Sequence, residues 1–246
     1  MAFSLEGMRG ELGSIMATSK PGLGVANDLC GACVDLLGVD GAAISMVYEG
    51  SSRGTFGASS EASRRLDEYQ FTFGEGPCLD AAVARQAVLA PDLDSPSEGR
   101  WPAFADAVLS DGIRAVFAIP VMVTAACVGA LDLFRASPGP MTAEHLAGGL
   151  LAAELASLPL LDLIASTEPT GTAEDSWADL EGLDRVEVYQ ATGMLISQLD
   201  VDAPEALVRL RAHAIATNQT ASQVATAIVE RRLVLERDEP GHGGSA

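Results

Sequence analysis

From Ala115 to Leu131 the chain reads AVFAIPVMVTAACVGAL, 17 residues without a charge. A run of this kind is a membrane helix, a buried helix or buried strand. A bilayer-spanning helix needs about 20 apolar residues. This run carries Pro120 near its middle and a small-residue break at Thr124-Ala125-Ala126. It therefore reads as two buried strands, VFAIPVMV and CVGALDLF, joined by a tight turn.

The flanking sequence supplies the rest of an α+β domain. Leu29, Cys33, Leu36 and Leu37 recur at helical spacing before Gly38 stops the helix. Gly41–Tyr48 and Arg53–Ala58 read as a hairpin turning at Glu49, Gly50 and Ser51. A polar helix is expected around Glu61–Tyr69, then a Gly-Pro turn, a short helix near Asp80–Gln86 and a short strand at Ala87–Ala90. Pro91–Gly99 is a loop and Trp101–Ser110 a helix. Hairpins with helices between them indicate an antiparallel sheet with flanking helices. After Pro138-Gly139-Pro140, Thr142 and Glu144 open a leucine-rich helix. Its Leu151, Leu155 and Leu158 form a stripe suited to packing on the sheet or on a second copy. Pro159 is expected to bend it.

Glu168–Ser176 is a polar linker containing Pro and Gly. Three helices follow, over about Trp177–Leu199, Ala203–Thr217 and Ala221–Arg237. Asp202, with Pro204 and Glu205 in the first turn, caps the second, and Thr220 with Gln223 has capping-box spacing for the third. On the first, Val186, Tyr189, Gly193 and Ile196 lie beside Val188, Ala191, Leu195 and Leu199. That arc is too wide for a small bundle to bury alone, which implies a partner surface, most simply a second subunit. The organisation is thus an antiparallel α+β domain at 12–165, a linker and the start of the long helix at 166–179, an all-α three-helix module at 180–237 and a disordered tail at 238–246.

Charge narrows the function. The net charge is −19, with Lys20 the one lysine, which disfavours a general nucleic-acid coat or an anionic membrane surface. The acidity is uneven: from Leu180 onward 6 Arg face 10 Asp and Glu, a net of −4. Four cysteines and no secretory signal point to reducing cytoplasm.

Chemistry is sparse. The three histidines, His145, His213 and His242, are scattered, and there is no nucleophile elbow, zinc-protease motif or phosphate loop. Cys30 and Cys33 form a CxxC that can be a redox pair, half of a zinc site or two small helix-core residues. Cys78, after Phe73-Gly74-Glu75-Gly76-Pro77, stands at a helix N-terminus, where the dipole can lower a thiol pKa. A structural turn with a small buried residue is the alternative. Asp92, Asp94, Asp132 and Glu154 read as isolated carboxylates on a solvated face or at a helix cap. No catalytic or metal site is expected.

FTFGEGPCLDAAVARQAVLAPDL, GRWPAFADAVLSDGIRAVFAIPV and CVGALDLFRASPGPMTAEH, in that order, resemble a GAF domain of actinobacterial regulators. The resemblance implies a sensory module that binds a small molecule between sheet and loops, or dimerises. Tyr189-Gln190-Ala191-Thr192-Gly193-Met194, Glu205-Ala206, Leu210-Arg211, Ala214, Asn218 and Val224-Ala225 resemble an ANTAR domain. That implies an antitermination output module binding RNA stem-loops in leader transcripts, usually as a dimer. Many family members have lysine where this chain has Thr192, and basic residues where it has Asn218–Ser222.

The candidate RNA-binding residues are Gln190, Thr192, Arg209, Arg211, His213, Asn218, Arg231 and Arg232. Arg209 and His213 share one helix face. Arg211 lies on an apolar side and reads equally as a buried structural arginine paired with Glu187 or Asp184. Cys78, Cys30 and Cys33 are redox-sensing candidates, and Leu151, Leu155 and Leu158 form the dimer or coupling helix. The expected partners are RNA, a second copy and an unknown small-molecule or protein signal, with no DNA, no membrane and no fixed cofactor. One alternative is a GAF sensor whose ANTAR-like helices bind protein instead of RNA. Another is a GAF-fold thiol enzyme using Cys78.

Overall fold

The structure, a computed structural model, describes residues 5–20, 22–48, 51–166 and 185–236. It divides into two compact units, Met1–Asp184 and Arg185–Ala246.

The first unit is built on five strands: β1 (Gly41–Tyr48), β2 (Ser51–Ala58), β3 (Val88–Ala90), β4 (Ala115–Val123) and β5 (Ala126–Arg135). They form one antiparallel sheet in the order β2-β1-β5-β4-β3. The charge-free run is indeed a hairpin: β4 turns into β5 with Val123 opposite Ala126, and Thr124 takes a left-handed φ of 53°. Its lack of polar alternation has a direct cause, because the strands are buried on both faces.

One face packs against α1 (Leu5–Thr18), α2 (Leu23–Leu37) and α6 (Ala143–Ser166). Ile44, Phe56, Phe117, Ile119, Leu131 and Leu133 meet Leu12, Leu29, Leu37 and Leu160 there, all essentially solvent-free. Consecutive glycines let α6 approach. A Cβ on Gly148 would lie 2.6 Å from Met8 Sδ, and one on Gly149 would lie 2.6 Å from Ile119 Cδ1. The other face is covered by α3 (Glu61–Phe73), α4 (Pro77–Ala84) and α5 (Pro102–Ser110). Its apolar part gathers Leu66, Trp101, Phe104, Val108, Val116 and Phe134.

Two differences from the sequence reading stand out in this unit. The helix α1 was not expected, because Gly7, Gly10 and Gly13 lower its intrinsic propensity; burial of Met8 and Leu12 in the core holds it. The leucine stripe also splits. Leu151 is buried in the core, Leu155 packs partly against it, and Leu158 is exposed. Among the described side chains of α6 the exposed leucines are Leu150, Leu158 and Leu161, so Leu151 is a core residue and not part of an outward face. Pro159 lies inside α6, which continues to Ser166.

The second unit holds α7 (Val186–Leu199), α8 (Ala203–Ala216) and α9 (Ala221–Val229). Val188, Ala191, Leu195, Leu199, Ala206, Leu210, Ala214, Val224 and Ile228 form its core. Both caps form as expected: Asp202 accepts from the Glu205 amide, and Thr220 and Gln223 close a capping box. The third helix stops at Val229 instead of Arg237. Arg231 adopts a left-handed φ of 59°, and the Arg232 amide reaches back to the Ala227 carbonyl. The chain then leaves the helix, and Gln198 of α7 donates to the Leu235 carbonyl at 2.6 Å. The expected linker, the segment 177–184 and the tail lie outside the described residues.

Candidate functional site

A buried polar cluster interrupts the α3/α4 face of the sheet. Asp67 projects from α3 and is solvent-free. Its Oδ1 accepts from Ser45 Oγ at 2.7 Å and Ser52 Oγ at 3.0 Å, and its Oδ2 accepts from Thr55 Oγ1 at 2.7 Å. One turn further on, Gln70 bridges two elements. Its Nε2 donates to Asp132 Oδ2 of β5 at 2.9 Å, and its Oε1 accepts from the Cys78 amide at 2.7 Å. Gly76 makes the latter bond possible: its φ is +144°, and a Cβ there would lie 2.5 Å from Gln70 Oε1.

The sequence reading placed Asp132 on a solvated face or at a cap. Instead it is fully buried, because the register sets it between Ala43 of β1 and Ala118 of β4 under α4. Burial pushes its carboxyl pKa up to about 7, opposed by the Gln70 hydrogen bond and reinforced by Asp67. Asp92 and Asp94 behave as read: they meet Arg114 at 2.9 and 3.3 Å near the surface.

The Gly-Glu-Gly-Pro-Cys segment is a structural junction. Glu75 Oε1 accepts from the Ala103 and Phe104 amides at 2.8 and 3.0 Å, supplying an anion to the first turn of α5. Two residues beyond the segment, Asp80 accepts from the Trp101 indole at 3.0 Å, and Arg100 lies over that ring. Cys78 does follow a helix start, but the expected acidification is absent. It is fully buried, and desolvation with the nearby Asp132 and Asp67 raises its pKa. Cys30 and Cys33 are core residues of α2, both with raised pKa values, Cys33 to about 12. A reactive thiolate needs the opposite environment. Cys127, half-buried on β5, is the most accessible of the four cysteines. Among the described residues no group of three or more His, Cys, Asp or Glu is placed to hold a metal.

The second unit carries the candidate nucleic-acid residues. Gln190 is exposed on α7, and Thr192 is half-buried with its hydroxyl bonded to the Val188 carbonyl at 2.7 Å. Arg209 forms an i,i+4 ion pair with Glu205 at 2.7 Å. His213, one turn further along α8, is partly exposed. Arg211 is largely withdrawn beside the buried Arg185, and desolvation plus this like charge lowers its pKa. Asn218 is exposed in a left-handed turn (φ 54°) that joins α8 to α9, a conformation Asn tolerates. Arg231 and Arg232 are exposed after α9, with Arg232 paired to Glu230. On α7 the wide apolar arc is covered only in part: Val188, Ala191, Leu195 and Leu199 are buried, while Tyr189 is 49% exposed.

Sequence reasoning missed the buried cluster because it is assembled from β1, β2, α3, α4 and β5. The available signal was a polar residue, Asp132, inside an otherwise apolar strand.

Fold and sites together define a class, a sheet-based sensory domain joined to a helical output module. The chain belongs to the GAF domain family: that family's model matches residues 25–158, and the ANTAR domain model matches residues 182–229. Among solved structures it resembles the GAF domain of an Acinetobacter phosphoenolpyruvate-protein phosphotransferase, with 12% identity, TM-score 0.53, and 67% of this chain and 98% of that one covered. It also resembles the GAF domain of a Coxiella burnetii phosphoenolpyruvate-protein phosphotransferase, with 13% identity, TM-score 0.51, and 65% and 95% covered. A third is fRMsr of Staphylococcus aureus in complex with substrate, with 10% identity, TM-score 0.50, and 65% and 97% covered. At these identities the likeness shows the fold alone. Comparison with curated proteins finds no match. GAF and ANTAR domains are regulatory, and the pair makes a signal-sensing regulator with an RNA-binding, antitermination output.

Proposed function

We propose that this chain binds RNA stem-loops in leader transcripts through α7–α9 and so prevents termination when its GAF domain registers a signal. The observation that carries the reading is the ANTAR match across the three helices of the second unit. Arg209, His213, Asn218, Arg231 and Arg232, with Gln190 on α7, are its proposed RNA contacts. Arg211 and Thr192, both partly withdrawn from solvent, act chiefly in packing. The module is not basic, so recognition rests on RNA shape and loop bases more than on bulk charge.

The chain acts as a homodimer and not as an enzyme. The exposed Leu150, Leu158 and Leu161 of α6 and Tyr189 of α7 support the first point. The buried, high-pKa thiols support the second. It works in the cytoplasm, without DNA or membrane partners; no helix among the described residues is long and apolar enough to cross a membrane.

Crosslinking of the intact protein to RNA in its own cells tests this, with an Arg209→Ala/His213→Ala variant as control. Enrichment of leader stem-loops that the variant loses is expected. Absence of RNA, with the helices recovered on a protein partner, would replace the RNA reading by a protein-interaction one.

A further inference from the structure

We propose that the first turn of α4 is a pH-gated latch, held on the sheet by Gln70 while Asp132 keeps its proton and released when that proton is lost. The device lies wholly within the first unit and does not depend on what the second unit binds.

The weak point is set by the sequence. α4 has only 8 residues, too few for a helix to be stable alone, so its order depends on what it docks against. Its N-cap, Gly76, has no side chain to cap it, and Pro77 has no amide hydrogen to give. Gln70 of α3 supplies the tie. Its Oε1 accepts from the Cys78 amide at 2.7 Å, while its Nε2 donates to Asp132 Oδ2 at 2.9 Å. One side-chain amide thus joins the start of α4 to β5. The Cys78 thiol is hydrogen-bonded to Asp132 as well. Beyond these bonds, Cys78 and Ala82 meet the sheet at Val47 and Ala130, a small apolar contact. Glu75 and Asp80 fix the flanks of the turn to the Ala103 and Phe104 amides and the Trp101 indole, so release stays local.

The trigger is the charge that this arrangement cannot accommodate. α3 presents Gln70 and Asp67 to Asp132, and α4 presents Cys78. β1 presents Ala43 and Ser45, whose hydroxyl goes to Asp67, and β4 presents Ala118. No cation is among the groups that act on Asp132. Asp67 accepts three hydroxyl donors, whereas Asp132 Oδ1 is buried without a hydrogen bond. Ionisation therefore places a charge out of solvent and beside a second carboxyl. Water relieves it, and lifting the first turn of α4 admits water at the loss of the Gln70–Cys78 bond. Closed, the carboxyl holds its proton up to about pH 7; open and solvated, it returns toward the ordinary value of about 3.9. The closed form binds the proton more tightly, so rising pH favours opening, by up to about tenfold for each pH unit above the midpoint.

The test is amide hydrogen exchange on the full chain, followed by NMR from pH 5.5 to 8.5 and corrected for intrinsic exchange rates. The Asp132 carboxyl carbon is titrated in parallel. The quantity read is the protection of the α4 amides Cys78–Ala84 relative to those of α2. That ratio should be level at the acid end and fall about tenfold between pH 7 and pH 8, breaking at the Asp132 midpoint. In Asp132→Asn, which cannot ionise, it should stay level throughout. The latch is overturned if Asp132 does not titrate in this range, if it titrates while the α4 ratio stays flat, or if Asp132→Asn loses protection as the parent does. The coincidence of the two midpoints is measured on the unsubstituted chain, so it decides even if the variant fails to fold.

Discussion

The two faces of the central sheet are made from the same strands and built on opposite principles. Toward α1, α2 and α6 the strands offer Ile44, Phe117, Ile119, Leu131 and Leu133, and glycines at Gly148 and Gly149 let α6 press directly onto them. Toward α3 and α4 the alternate residues are Ala43, Ser45, Ala130 and Asp132, and the space is occupied by hydrogen-bonded polar groups. The first face supplies stability through apolar burial, which is non-directional. The second is directional, because Asp67, Gln70 and Asp132 are held by hydrogen bonds to β1, β2 and α4.

The contrast can be broken most forcefully on the apolar face. Phe117→Ala removes a solvent-free aromatic ring and should cost about 3–5 kcal/mol in denaturant unfolding, with little change in Asp132 titration. If the Asp132 midpoint moved by a full unit or more, the two faces would not be separable.

On the polar face, pH is the probe. A carboxyl near 7 in the folded chain and about 3.9 when unfolded binds more protons when folded. Stability from Asp132 is therefore full below pH about 4 and declines until pH about 7, by a few kcal/mol at most. Asp132→Asn should flatten that decline and unfold later than the parent above pH 7. Equal slopes in denaturant titrations at pH 5 and pH 8 for both chains would contradict the burial of the charge.

A smaller effect is expected where α6 meets α1. Gly148→Val should cost about 1–3 kcal/mol by overpacking, read as a lower midpoint in thermal unfolding. A mutant as stable as the parent would mean that α6 can retreat from Met8 and Leu37.

The smallest perturbation is chemical labelling of the native chain. Cys30 and Cys33 lie on the apolar side and Cys78 on the polar side, all buried, whereas Cys127 is half-exposed. One thiol should react with a neutral alkylating agent in native buffer, and all four in denaturant, counted by intact mass. Fast reaction at Cys78 would show the polar face to be open.

Local patterns made much of this architecture legible. The broken charge-free run announced a hairpin, and Asp202, Thr220 and Gln223 marked helix starts because caps use residues a few positions apart. The end of α9 was not legible: Arg231 and Arg232 suit a helix terminus electrostatically, yet the chain turns left-handed there. Thr192 borders the buried stripe of α7, and its bond to the Val188 carbonyl emerges only with the backbone in place.

By itself the sequence determined the two kinds of unit, the strands, most helices, the caps and the family resemblance, since each depends on periodicity or motifs within a few turns of chain. Only the tertiary structure decided what the isolated polar residues do. Asp67, Ser45, Ser52, Thr55, Gln70, Cys78 and Asp132 span five elements. The reason is physical: a side chain's burial and hydrogen-bond partners are set by strand register and layer packing, which bring together residues as far apart as Gln70 and Asp132, and no local window contains both.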